Sequence, residues 1–140
     1  MAHTQTTSQA NAPAATAPIT AMSVMAPALG WFIPGAGHLI QKRWIRGLVL
    51  MACVVAMFVF GLAMDGKVYS PNTGDLLDIL GFVGDFGAGA LYILGHALNW
   101  GSTAISYATA DYGTKYIVVA GLLNIMAAVD AYHIAIGKKP

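Results

Sequence analysis

Glutamate is absent from this 140-residue chain, cysteine occurs once, and no lysine or arginine precedes Lys42. Each absence removes a class of reading. Seven Lys and Arg against six Asp leave a net charge of +1, and Lys42, Arg43 and Arg46 form the only dense cationic group. That group is too small for a basic stripe, so no nucleic-acid partner is expected. The lone Cys53 can form no internal disulfide. A start without cations lacks the charged lead of a secretory signal, so no cleavage is expected. Charged residues make up 9% of the chain and hydrophobic residues 57%, whereas soluble domains carry about 25% charge. Too little charge is present to clothe a globular surface, and the expected solvent is lipid.

What the chain does contain is four apolar segments behind a polar start. Residues 1–18 are rich in Ala, Thr, Gln and Pro without apolar periodicity. Such a composition buries too little surface to offset the entropy of ordering, so a disordered tail is expected before a single transmembrane helical domain over 19–140. Residues 47–64 run for 18 positions without a charge, about the length that crosses a hydrocarbon core. Residues 116–136 form a second long span, with Asn124, Asp130 and His133 inside it and Lys138 and Lys139 closing it.

Two further segments are more irregular. Residues 19–40 are long enough to span, but Pro27 and Pro34 each remove a backbone donor and restrict the residue before them. A kinked span and a half-membrane segment ending at Pro34 both fit. Residues 76–100 contain Asp78, Asp85, His96 and several glycines. At bilayer depth, irregular backbone is tolerated only where protein or a watery cavity covers it. As one continuous helix this segment places Asp78, Asp85, Tyr92 and His96, spaced by 7, 7 and 4, on a single inward face. The expected fold is therefore an all-α membrane protein, a small helical bundle of three to four hydrophobic segments, one of them kinked or re-entrant.

The cations bear on topology. With four spans they divide 4 to 3 between the two sides, whereas a re-entrant third segment gathers Lys42, Arg43, Arg46, Lys138 and Lys139 and divides them 5 to 2. The positive-inside rule favours the second arrangement and places the cluster in the cytoplasm of a multi-pass inner-membrane protein. Trp31, Lys42, Arg43, Trp44 and Arg46 then read as an interface anchor, cations on headgroups and indoles at the boundary. Tyr107, Tyr112 and Tyr116 read as a second aromatic belt. In the last span Ala120, Asn124 and Ala128 form a small stripe at spacings of 4, the pattern that lets helices approach closely in lipid.

The stretches "PGAGHLIQKRWIRGLVLM" and "GLLNIMAAVDAYHIAIGKK" resemble the opening and closing spans of small bacterial membrane proteins of the two-transmembrane-helix domain family, and of an uncharacterised family of such proteins. The likeness covers about residues 30–64 and 116–139. Ile40 stands where that family often has an aromatic, and residues 65–115 are much longer than its usual connection. The resemblance implies paired spans with both motif ends at the cytoplasmic face, and it implies no activity.

The candidate chemistry is sparse. Asp130 and His133 are i and i+3 on one helix, and with His38 at the same depth they could hold a divalent metal or make a single packing hydrogen bond. Asp85 and His96, with Asn124, are the intramembrane polar residues. They could line a proton or cation path or serve as bundle contacts. His96 or His133 as a haem or pigment ligand lacks a facing second histidine, and no cofactor is expected. The Pro-Gly-Ala-Gly-His turn lacks the Lys-Ser/Thr of a phosphate loop. The expected function is non-enzymatic, a scaffold or small subunit that self-associates or joins a larger membrane complex. The alternative is a small transporter, ion-conducting or metal-binding membrane protein.

Overall fold

The structure, a computed structural model, describes residues 20–71, 74–101 and 108–139. The expected tail at 1–18 and Tyr107 lie outside the described residues. All regular structure among the described residues is helical: α1 (Ala21–Phe32), α2 (Ala36–Leu39), α3 (Trp44–Ala63), α4 (Leu76–Phe86), α5 (Ala90–Ala97) and α6 (Ala108–Ala135).

Among the described residues, helices α3 and α6 are the two long and apolar enough to cross a membrane. At 1.5 Å per residue they are about 30 and about 42 Å long. They run antiparallel. Arg46 at the start of α3 approaches Asp130 near the end of α6 at 3.9 Å, while Gly61 near the end of α3 lies against Gly113 and Ile117 near the start of α6. This pairing gathers Lys42, Arg43, Arg46, Lys138 and Lys139 at one end. At the other, the backbone N–H of Lys67 donates to Thr114 Oγ1 at 2.9 Å, beside Lys115. The cations divide five to two between the ends, the division expected for a re-entrant third segment.

The first segment does not run the length of the bundle. Pro34 drives Ile33 out of helical conformation, to φ −116° and ψ 113°, so α1 ends at Phe32. Pro27 is carried inside the helix. Contacts with α6 trace the path. A methyl on Gly30 would meet Ala128, Trp31 meets Asn124, and after the turn Gly37 lies on Ala131 and His38 on Asp130. The chain therefore enters from the basic end, reaches the level of Asn124, and returns through α2.

The third segment also returns, and here the continuous-helix expectation is corrected. Asp75 caps α4 by accepting the Leu77 N–H at 3.3 Å. The helix then breaks at Gly87–Gly89 and resumes as α5 bent by 113°. Gly89 adopts φ +59°, and any Cβ there would collide with the carbonyl of Trp31, so only glycine fits. Because of the break, Asp78, Asp85, Tyr92 and His96 do not share a face. Asp85 and Tyr92 are buried while His96 is exposed. The hairpin begins and ends at the lysine-poor end, where the Val68 N–H donates to Gly101 O at 3.0 Å.

Two short hairpins thus enter between α3 and α6 from opposite ends and touch tip to tip, with Trp31 and Phe86 rings 5.0 Å apart. The main core lies around the second hairpin, built from Val54, Phe58, Tyr92, Ile117 and Ala120. The first hairpin packs instead through small residues on the Ala128 and Ala131 side of the predicted stripe. Gly121 extends that stripe towards α4, where a side chain would strike the Gly84 carbonyl.

Gly89→Ala should lower the thermal midpoint in detergent well beyond Gly137→Ala. Gly137 has φ +74° but open space around it. It carries only the cost of the left-handed conformation, about 1–2 kcal/mol, whereas Gly89→Ala adds a backbone collision. Equal losses in the two variants would show that the tips do not touch.

Candidate functional site at the meeting of two hairpins

The two hairpin turns free backbone carbonyls that no helix can satisfy, because the chain reverses instead of continuing. Trp31 O at the end of α1 and Gly87 O at the end of α4 both lie in the interior. One side chain serves both. Asn124 on α6, fully buried, donates its Nδ2 hydrogens to Trp31 O at 2.8 Å and Gly87 O at 2.9 Å. Asn124 lies six residues from Asp130 and eleven from Gly113, about 9 and about 16 Å along the helix. The tips meet deep in the bundle.

Trp31 consequently stands apart from the other anchor residues predicted from sequence. Its indole packs on Phe86 at the inner tip, because α1 points inward and ends there. Trp44 lies at the start of α3 beside Lys42, Arg43 and Arg46, 63% exposed.

Of the three candidate metal ligands, His38 and Asp130 come together and His133 does not join them. His38, almost fully buried, donates from Nε2 to Asp130 Oδ2 at 3.1 Å. Lys139 Nζ takes the other oxygen at 2.6 Å, and Arg46 approaches at 3.9 Å. The carboxylate is thereby shared among nitrogens before a metal could claim it. His133, one turn on from Asp130, lies against Tyr132. Among the described residues no three His, Cys, Asp or Glu side chains cluster closely enough to hold a metal ion. The sequence did not single out Gln41, whose Nε2 bridges Gly37 O and Ala131 O at 2.8 and 3.0 Å and closes the first hairpin onto α6.

Asp85, on the second hairpin, is also fully buried. Its Oδ2 accepts the Tyr69 N–H at 2.7 Å, while among the described residues Oδ1 has no hydrogen-bond partner, and neither has Asn124 Oδ1. Tyr69 belongs to the connection after α3, with Lys67 Nζ 4.8 Å over its ring. Burial, and then the nearby carboxylates of Asp78 and Asp85, raise its phenol above the ordinary value, so it stays neutral. His96, paired with Asp85 in the sequence reading, is exposed and stacks on Tyr92 at 5.8 Å.

The comparisons with known proteins add one finding. The chain belongs to DUF6677, a family of unknown function, whose model matches residues 25–140. The match begins inside α1 and takes in the second hairpin and both long helices. No curated protein and no solved structure matches the chain.

Asn124→Leu, close in volume, strips the donor from two buried carbonyls, and each unsatisfied acceptor costs about 1–3 kcal/mol. Asp130→Asn removes ion pairs at a partly exposed site, worth about 1 kcal/mol or less and weakened by salt. Melting curves at low and high salt should therefore rank Asn124→Leu as the more damaging variant, with a loss that salt leaves unchanged. The reverse ranking would deny Asn124 its bridging role.

Proposed function

We propose that this chain is a non-enzymatic integral membrane protein of the bacterial inner membrane, a structural or assembly subunit that works as a homo-oligomer or within a larger complex. On this reading α3 and α6 cross the bilayer, the five-cation end faces the cytoplasm, and the two hairpins are re-entrant. The motif likeness to the two-transmembrane-helix domain family belongs to the same proposal. Support comes from the outer faces: Ile45 is 82%, Leu77 71% and Met126 70% exposed, a pattern that water penalises and lipid does not.

The observation that carries the structural reading is how the interior polar groups are used. Asn124, Gln41, His38 and Thr114 each join segments distant in sequence, which is packing work. One observation favours a transport reading: the buried Oδ1 of Asp85, without a partner among the described residues. A carboxyl held without a cation in apolar surroundings is suited to exchanging a proton or small cation.

Topology is tested in a Cys53→Ala background with a membrane-impermeant thiol reagent. Single cysteines at Arg43 and after Lys139 should behave alike in intact cells, and one at Lys67 oppositely. A different response from the first two would break the two-span arrangement. Function is tested with Asp85→Asn in proteoliposomes. The structural reading expects at most a shift in melting temperature, and abolition of a cation or proton flux with folding intact would transfer the assignment to transport.

A further inference from the structure

Between α3 and α6 at the basic end lies an open groove of about 580 Å³, within the ~300–1,000 Å³ range of small-ligand sites. Its walls are apolar, with Leu50 on one side and Leu123, Met126 and Ala127 on the other, and its rim carries Arg46 and Lys139. The rim is net cationic. Its one carboxylate, Asp130, is already engaged by His38 and Lys139 and approached by Arg46, which leaves further guanidinium and ammonium hydrogens free. Lys42 and Arg43 border a neighbouring hollow on the same end.

We infer that this groove binds a single anionic phospholipid, its phosphate on Arg46 and Lys139 and an acyl chain along Leu50, Leu123 and Met126. The inference rests on the membrane reading above. Charge selects the occupant. A zwitterionic lipid brings an ammonium group to a rim whose carboxylate is spent. A free phosphate leaves the apolar wall uncovered. Apart from Asp130, a second copy aligned in the same bilayer offers no side-chain carboxylate at this level, because Asp65, Asp75, Asp78 and Asp111 all lie towards the opposite end and Asp85 is buried. Asp130 would meet only its own twin.

The test is native mass spectrometry of the full chain in mild detergent, with equal amounts of phosphatidylglycerol and phosphatidylcholine of matched acyl chains, and separately with inorganic phosphate. One phosphatidylglycerol should be retained in preference. Arg46→Gln and Lys139→Gln should each cut that preference roughly fivefold, as expected for loss of one surface cation. Lys139→Arg should keep it, and Lys42→Gln should leave it unchanged. Met126→Gln, at an exposed position, should weaken retention of both lipids. Melting curves confirm that each variant is folded. Equal retention of the two lipids, a preference that follows Lys42 instead, inorganic phosphate displacing the lipid, or a lipid-free dimer would each overturn the inference. A chain recovered from the soluble fraction would instead overturn the membrane reading beneath it.

Discussion

The amide of Asn124 is the constraint on which the rest of the arrangement turns. A chain that enters an apolar interior and reverses there leaves carbonyls that neither a continuing helix nor water can satisfy. Two such reversals occur here, and the two hydrogens of one amide answer both. For one side chain to reach both acceptors, the tips must arrive at the same level of α6 and nearly touch. That requirement accounts for the glycine at position 89, for the break after Phe86, and for the small residues on α6 that admit a hairpin on either side. A larger residue at Gly89 or Gly121 would part the backbones by more than a hydrogen bond can bridge.

The halves that meet at this amide are built differently. The hairpin from the basic end packs by close backbone approach and by polar ties, His38 to Asp130 and Gln41 to two carbonyls. The opposite hairpin adds ring contact to its close backbone approach at Gly84 and Gly121, with Phe82, Phe86 and Tyr92 mutually about 6 Å apart, against Phe58 and Ile117. The second hairpin also holds the buried carboxyl with an open oxygen.

The outer surface follows from the same economy of charge. With 9% charged residues gathered at helix ends, the flanks of α3 and α6 are apolar, and the cations concentrate where α3 begins and α6 ends. The antiparallel pairing of these helices turns two separated basic stretches into one rim above an apolar groove.

Much of this was legible in the residues taken alone. Composition pointed to an all-helical chain suited to lipid, the two long apolar runs located α3 and the greater part of α6, and Pro34 marked where the first segment stops. Periodicity placed Ala120, Asn124 and Ala128 on one face, and all three are buried. These properties depend on local chemistry: side-chain transfer, helical repeat and the steric reach of proline. The sequence also carried Gly87 and Gly89 between two apolar runs, the signal for a second reversal, but a 3.6-residue repeat laid across them joined Asp85 to His96 instead. Only the tertiary structure decided that both irregular segments turn back, that Trp31 belongs with Phe86 and not with the basic cluster, and that His38 reaches Asp130 while His133 stands aside. Those outcomes depend on which distant carbonyl an amide meets and which backbone a glycine admits. Such pairings across about ninety residues leave no trace in local periodicity.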